Sequence, residues 1–447
     1  MTGPPTEPSA DPPAVGSSDT ATQRRTIAVL SGAQVLTGVG VGAGVAAGSL
    51  LVAELSGSES LAGLAQTSGV VGAAVAAGPL AWLSTRRGRR IGLATGLWIA
   101  VAGASVVIFG AVVGSVLLAL VGSFGVGVAS AVGYQARYAA SDLAKPQHVA
   151  RDLAFVVWAT TVGAVLGPNL MEPASRLAEL LSMPPLSGPY LVTLSAVTLA
   201  AIVVMGLLRP DPLLAARQQV QGDADDEDLE HVGMVAELRR GLKVVGAAPG
   251  AVAGVVAISI GHVVMVMVMV MTPVHMQHVD VTLQVIGLVI SVHILGMYAL
   301  SPAVGWAADR RGSVTVIAVG VVLLAVATLV SGTASGDQIP KLGIGLFLLG
   351  LGWSCTLVGG SALLSVSVPD EHRPAAQGMG DTVMNVAAAL GGAAAGVIVF
   401  AASYAWLNVA AALCLAPLVV VLARFDRGGR RRGRGRRVAD GVRTPVR

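Results

Sequence analysis

Three side chains that can carry a proton lie inside long apolar stretches of this chain, namely Asp381, His262 and His293. An ionisable side chain at the centre of a membrane helix costs about 2.5–3.5 kcal/mol, so each is a candidate functional residue. Proton coupling suits them, because histidine titrates near neutral pH and a carboxylate binds a proton reversibly. The alternatives are structural: Asp381 pairs with Arg86 or Arg137, and each histidine hydrogen-bonds to a neighbouring helix.

Three amide side chains lie in the same kind of sequence. Gln377 and Asn385 are each four residues from Asp381, so all three share one face of a helix. Gln34 lies within the first apolar stretch. We expect Gln34, Gln377 and Asn385 to face a substrate cavity. For Gln34, a hydrogen bond between helices is the alternative.

Sulfur and imidazole side chains recur at the end of the seventh apolar stretch and just after it: Met265, Met267, Met269, Met271, His275, Met276 and His278. Both groups bind Cu(I). Residues two apart on a helix point in different directions, however, and methionine commonly fills gaps in apolar cores. We therefore predict no metal site. The chain also lacks a phosphate-binding glycine loop and a nucleophile elbow, so we predict no cofactor and no enzyme activity.

Twelve apolar stretches must position these residues. They span 27–52, 61–83, 91–113, 115–140, 150–171, 189–208, 249–273, 282–307, 314–333, 341–366, 376–401 and 404–424. Each is close to the roughly 20 residues that cross a bilayer. The chain is 54% hydrophobic and 12% charged, with a mean hydropathy of +0.75, which excludes a water-soluble protein. The pattern predicts an all-α membrane protein with twelve transmembrane helices.

One long interruption divides the pattern into two sets of six helices. We predict a disordered cytoplasmic tail over 1–26, a first bundle over 27–208, a connector over 209–248, a second bundle over 249–424 and a basic cytoplasmic tail over 425–447. Repeated six-helix bundles with pseudo-symmetry are common in secondary transporters, and their substrate site lies between the repeats.

The distribution of basic residues predicts the orientation. With both termini in the cytoplasm, only Arg176 and Lys341 of the 29 Lys and Arg residues fall in outside segments. This asymmetry favours a multi-pass protein of the cell membrane with cytoplasmic termini. The arginine-rich tail has no interleaved aromatic residues, so we expect it to meet the lipid bilayer and not nucleic acid.

A basic turn occurs at matching places in the two halves. After the eighth stretch it contains Gly305, Asp309, Arg310 and Gly312; after the second it contains Arg86 and Arg87, but with Ala81 and Thr85 where the second copy has Gly305 and Asp309. This turn, the central connector and the twelve helices resemble the major facilitator superfamily. The resemblance implies that the turns form a cytoplasmic gate, to which we add Arg137 and Asp142. It also implies that helices 1, 4, 7 and 10 line a central cavity.

A motif in the fifth stretch bears on direction. Gly163, Gly167 and Pro168 are similar to the Gly-x-x-x-Gly-Pro motif of the antiporter, or drug-exporting, branches of the family. The resemblance favours a monomeric secondary transporter that exports a small-molecule substrate in exchange for protons. Two alternatives stay open: a proton-coupled uptake symporter, and a membrane sensor or scaffold that transports nothing.

Overall fold

Long α-helices form the structure. The computed structural model describes residues 17–58, 61, 63–221 and 234–425, and within these residues twelve helical segments are long and apolar enough to span a membrane. No β-strand occurs in this part of the chain. The predicted all-α fold with twelve transmembrane helices is therefore confirmed.

The helices of the first half, residues 17–207, are α1 (Ser17–Ser56), α2 (Gly63–Arg87), α3 (Arg89–Val113), α4 (Val116–Ala139), α5 (Val149–Asn169), α6 (Met171–Leu180) and α7 (Gly188–Leu207). The connector contains α8 (Pro212–Gln221) and α9 (Met234–Ala247). The second half, residues 249–425, contains α10 (Pro249–Gln277), α11 (Leu283–Tyr298), α12 (Ser301–Arg311), α13 (Ser313–Gly332), α14 (Ile339–Ser367), α15 (Arg373–Ala401) and α16 (Tyr404–Leu413).

The first helix begins earlier than the sequence predicts. The expectation of a disordered tail over 1–26 is wrong for residues 17–26, which form the first turns of α1. The Gln23 amide donates to the Ala140 carbonyl at 2.7 Å and to Asp152 at 2.8 Å, which fixes this end of α1 against the helices that follow. Residues 1–16 and the predicted basic tail beyond 425 lie outside the described part of the chain.

Two predicted spans are interrupted. The eighth, predicted as one helix over 282–307, consists of α11 and α12 with a break at Ala299 and Leu300. Pro302 lies in the first turn of α12, where its missing N–H is tolerated. The twelfth span also has a turn, after Leu413, before helical structure resumes ahead of Pro417.

Glycines allow α1 and α5 to cross closely. A Cβ atom on Gly163 would lie 2.6 Å from the backbone of Gly38, closer than real Cβ atoms approach other atoms. A Cβ atom on Gly167 would lie 2.9 Å from the Gly42 carbonyl carbon, and the Pro168 ring also faces Gly42. The motif in the fifth helix therefore serves the packing of helix against helix.

The two halves pack side by side, with α2 against α15 and α5 against α11 and α12. The connector helix α9 lies across this boundary and contacts both α2 and α15. The Leu238 side chain approaches Gly78 of α2, and Gly241 lies against the Ala375 carbonyl of α15. The fold thus provides two helical halves, a seam between them, and one short helix that covers part of the seam.

Candidate functional site

A cavity of about 450 Å³ lies between the two halves. Its volume is within the range of small-molecule sites. From a floor that includes Arg137, it extends to Gly48 near the end of α1 and to Tyr190 near the start of α7. Among the described residues that line it, Arg137 is the only one with a full formal charge; the others are apolar, aromatic, amide or hydroxyl side chains and His262. The cavity therefore suits a small organic molecule.

Aromatic rings form the floor of this cavity. The ring centroids of Tyr134 and His262 are 5.9 Å apart with an edge-on geometry, and those of Tyr298 and Trp353 are 5.6 Å apart with the same geometry. The His262 and Trp353 centroids are 6.0 Å apart and link the two pairs. Tyr134 comes from the first half and the other three come from the second. The floor is therefore shared between the halves.

A hydrogen bond fixes the protonation of His262. The Trp353 indole Nε1 donates to the His262 Nδ1 at 2.8 Å. An indole N–H can only donate, so His262 Nδ1 must be an acceptor and the ring proton must lie on Nε2. A second proton on Nδ1 would oppose the indole N–H. In this conformation His262 is therefore neutral, which does not fit the prediction that it carries protons.

A buried ion pair joins the halves beside the floor. The Arg137 Nη2 donates to Asp381 Oδ1 at 2.6 Å, and each side chain is only 1% exposed. Arg137 Nε also donates to Ser361 Oγ at 3.1 Å, and its guanidinium carbon lies 4.5 Å from the centre of the Tyr138 ring. Of the alternatives named for Asp381, pairing with Arg137 is the one that this structure contains.

A second buried cluster lies next to this pair. Arg89 donates two hydrogen bonds to Asp142, at 2.8 and 3.1 Å, and a third to the side-chain Oε1 of Gln377 in α15 at 2.5 Å. The Gln377 amide donates to Ser365 at 3.0 Å. The prediction that Gln377 faces the cavity is therefore wrong for this conformation, because its two polar atoms are bound to Arg89 and Ser365.

Asp309 connects α12 to the start of α5. Its carboxylate accepts from the backbone N–H groups of Ala150 at 3.0 Å and Arg151 at 2.9 Å. A carboxylate at a helix N-terminus is favourable because it binds unpaired N–H groups. Gly305, one turn earlier, lies so close to the Ala150 carbonyl that a Cβ atom would be 2.6 Å from it.

The other residues of the predicted gate lie around these contacts. Gly312 has φ +90°, a conformation that favours glycine, and it ends α12. The guanidinium groups of Arg86 and Arg310 lie 4.6 and 5.3 Å from the ring centres of Trp82 and Trp306, and Arg87 is exposed.

Six of the hydrogen bonds among the described residues join the two halves at one end of the bundle. We call this end the charged end. The bonds link Arg89 to Gln377, Arg137 to Ser361 and Asp381, Asp309 to Ala150 and Arg151, and Ser301 to Ala154. The residues that line the cavity continue from this end toward the opposite one. The charged end is therefore closed.

The remaining candidates have different surroundings. Gln34 lines the cavity and donates to Thr160 at 3.0 Å, and Asn385 also lines the cavity. His293 is fully buried, its Nδ1 donates to the Leu346 carbonyl at 2.8 Å, and it is not among the cavity residues. This position does not fit its predicted role in proton coupling.

The run of methionine and histidine at the end of α10 is spread over several surroundings. Met265 and Met269 line the cavity, while His275 stacks on Tyr404 with ring centroids 4.2 Å apart. Among the residues that the structure describes, no group of three or more His, Cys, Asp or Glu side chains is placed to bind a metal ion.

Sequence reasoning missed Arg89, although it singled out two arginines in the same basic turn. Gly88 has φ +87° and lies between α2, which ends at Arg87, and α3, which begins at Arg89. This turn sends Arg87 to the exterior and Arg89 to the interior. In the sequence, Gly88 was the signal for this arrangement, because glycine readily adopts a positive φ and such a φ redirects the chain between two helices.

Comparison with known proteins agrees with this architecture. The sequence profile of the Major Facilitator Superfamily matches residues 29–278 and 255–445. The chain is 36% identical over 401 residues to an uncharacterized MFS-type transporter of Bacillus subtilis (strain 168), YddS, covering 89% of this chain and 90% of that protein. It is 24% identical over 409 residues to the riboflavin transporter RfnT of Brucella anthropi, covering 90% of this chain and 97% of that protein.

A solved structure has the same fold. The human organic anion transporter MFSD10 matches with a TM-score of 0.69 at 16% identity, covering 92% of this chain and 100% of that one. The twelve spans, the cavity between two halves and the profile match lead to one conclusion: the chain belongs to the major facilitator superfamily, whose members are secondary transporters and not enzymes.

Proposed function

We propose that this protein is a cell-membrane exporter that moves a small molecule outward in exchange for protons. The observation that carries the proposal is the buried Arg137–Asp381 ion pair, which joins the two halves at the floor of the cavity. A transporter of this family works by moving one half against the other around a central site. A charge pair across that boundary ties the movement to protonation.

Asp381 is the proposed proton carrier. Its Oδ1 accepts from Arg137, while its Oδ2 is buried and has no hydrogen-bond partner among the described residues. A proton on Oδ2 would cancel the negative charge that attracts Arg137. The pair would then weaken and the charged end could open. Loss of the proton would restore the carboxylate, and the pair would close that end again.

The asymmetry of basic residues supports a cytoplasmic position for the charged end. In that orientation, the structure has its cytoplasmic end closed and its cavity directed outward. A proton from outside would reach Asp381 through the cavity and open the cytoplasmic end. Substrate would bind there as the proton left, and re-formation of the pair would return the substrate to the outside. The cycle exchanges one proton for one substrate.

Two further observations support transport of a small molecule by a single chain. RfnT, a relative of this protein, is a riboflavin transporter. We also propose that one chain is the transporting unit, because both halves that enclose the cavity belong to the same chain.

The test is proton movement in inverted membrane vesicles, whose interior is acidified by respiration and followed with a pH-sensitive dye. The probes are a panel of uncharged and charged small molecules that includes riboflavin. For an antiporter, a transported probe added outside should release protons from the interior. Asp381→Asn retains a hydrogen bond to Arg137 but cannot titrate, so it should abolish this proton release and still exchange labelled probe. Asp337→Asn, an exposed residue at the opposite end, is the matched control.

The alternatives give different results in the same vesicles. A symporter would move protons outward only when the probe is loaded inside. A sensor or scaffold would move no protons in either arrangement. Full proton release in Asp381→Asn would reject Asp381 as the carrier.

A further inference from the structure

We propose that the cavity selects an uncharged heteroaromatic substrate, with His262 Nε2–H as hydrogen-bond donor and Asn385 Oδ1 as acceptor. This inference deepens the proposed transport function and rests on it, because a ligand is a substrate only if the protein transports it. The binding test below does not depend on transport.

The donor follows from the Trp353–His262 hydrogen bond. Because Trp353 donates to His262 Nδ1, the ring proton lies on Nε2. His262 lines the cavity, and its Nε2 has no hydrogen-bond partner within the described part of the chain. A donor without a partner in a mostly apolar cavity is costly unless a ligand supplies an acceptor. A carbonyl oxygen or a ring nitrogen would satisfy it.

The acceptor follows from a second bond of fixed direction. The Asn385 Nδ2 donates to the Asp381 backbone carbonyl at 2.8 Å, and a carbonyl can only accept. The amide orientation is therefore determined, and Oδ1 is the atom left for a ligand. Asn385 lines the cavity, and no described hydrogen bond uses Oδ1. A substrate N–H or O–H would bind there.

The charges of the site exclude a charged substrate. Arg137, the single charged residue among the described cavity residues, is already neutralised by Asp381 at 2.6 Å. An ion brought into this cavity would lose its water without gaining an opposite charge. A neutral molecule avoids that cost.

The residues that line the cavity favour a ligand with an aromatic ring. The floor includes the aromatic residues Tyr134, Tyr298 and Trp353, and Met265 and Met269 also line the cavity. Aromatic rings pack edge-to-face with one another, and thioether sulfur makes favourable contacts with ring edges. A flat ring with a carbonyl or ring nitrogen and an N–H group satisfies the rings, the donor and the acceptor together.

The first test compares ligands on the unmodified full-length protein. Thermal stabilisation and equilibrium binding are measured for a panel of neutral heteroaromatic carbonyl compounds that includes riboflavin. Riboflavin 5′-phosphate has the same ring with added negative charge, and D-xylose is neutral but not aromatic. We expect at least one member of the panel to bind, riboflavin 5′-phosphate to bind about tenfold or more weakly than riboflavin, and D-xylose to give no stabilisation.

The second test removes the donor. His262→Phe retains an aromatic ring but loses Nε2–H. It should weaken about tenfold the binding of whichever panel compound binds the unmodified protein. Trp353→Phe removes the indole N–H that holds the His262 ring proton on Nε2, so binding of the same ligand should also weaken. His275→Phe is the matched control, because His275 is on the same helix, stacks on Tyr404 and is not a cavity residue. It should bind as the unmodified protein does.

Three results would overturn the inference: no binding by any aromatic panel member, equal or tighter binding of the phosphate or the sugar, or unchanged affinity in a folded His262→Phe variant. Its failure is distinguishable from failure of the proposed function. A protein that binds aromatic probes and moves no protons is not the proposed exporter, yet its cavity is as inferred. If the protein exchanges protons for D-xylose and for no aromatic compound, the inferred substrate class is wrong while the proposed exporter function stands.

Discussion

At the scale of single residues, the Arg137–Asp381 pair is the decisive contact, because it connects the cavity floor to the boundary between the halves. Both charges are withdrawn from water, so each depends on the other. The sequence could identify Asp381 by its position in an apolar stretch and could name Arg137 as one possible partner. It could not place Arg89, since the left-handed turn at Gly88 decides which arginine of that segment faces inward.

We predict that removing one member of this pair destabilises the protein more than removing both. Arg137→Met alone leaves the Asp381 carboxylate buried without its partner, at a cost of about 3–5 kcal/mol. The double variant Arg137→Met with Asp381→Leu replaces two charges by apolar groups and should unfold near the temperature of the unmodified protein. Thermal unfolding in detergent, followed by intrinsic fluorescence, measures this. The prediction would be contradicted if the double variant lost as much stability as the Arg137→Met and Asp381→Leu single variants lose together.

At the scale of helices, glycines let the two halves approach closely at the charged end. Gly305 of α12 lies against the Ala150 carbonyl of α5, and Gly378 of α15 lies against Ala81 of α2. Both contacts cross between the halves, so added atoms would separate the helices that the closed state brings together.

Gly305→Ala should therefore shift the equilibrium toward opening of the charged end. Its Cβ atom would meet the Ala150 carbonyl at 2.6 Å. Overpacking typically costs about 1–3 kcal/mol, and about 1.4 kcal/mol changes the ratio of states tenfold. The measurement is the labelling rate of Thr85→Cys, a buried position at this end, in a protein whose Cys355 and Cys414 are replaced by alanine.

The matched control is Gly287→Ala, because a Cβ atom there meets nothing within 4 Å. In Gly287→Ala, the labelling rate of Thr85→Cys should equal the rate measured with Gly287 unchanged. Equal rates in Gly305→Ala and Gly287→Ala would show that the contact at Gly305 does not decide closure.

The helices also show where sequence reasoning reaches its limit. Hydrophobicity and length identified all twelve spans, because a bilayer imposes both on every crossing segment. They did not show the break between α11 and α12, since the apolar pattern continues through it. They also missed the start of α1, which depends on Gln23 contacting Ala140 and Asp152, residues that are distant in sequence.

At the scale of the whole molecule, the two halves place basic turns at one end, and this asymmetry predicts the orientation in the membrane. In a background without Cys355 and Cys414, a membrane-impermeant maleimide should label Ser335→Cys on intact cells. Lys145→Cys, at the charged end, should react only after the membrane is permeabilised. Both positions are exposed, so access depends on the side of the membrane. The reverse labelling pattern would reject cytoplasmic termini.

The connector helix α9 should give the two ends of the molecule unequal opening kinetics. It contacts α2 of one half and α15 of the other at the charged end, so those helices cannot separate until α9 leaves at least one of them. Leaving exposes the apolar contacts of Leu238, a cost that opening of the opposite end does not include. The two conformational steps of a transport cycle should therefore have different activation barriers, with the slower step being the one in which α9 detaches.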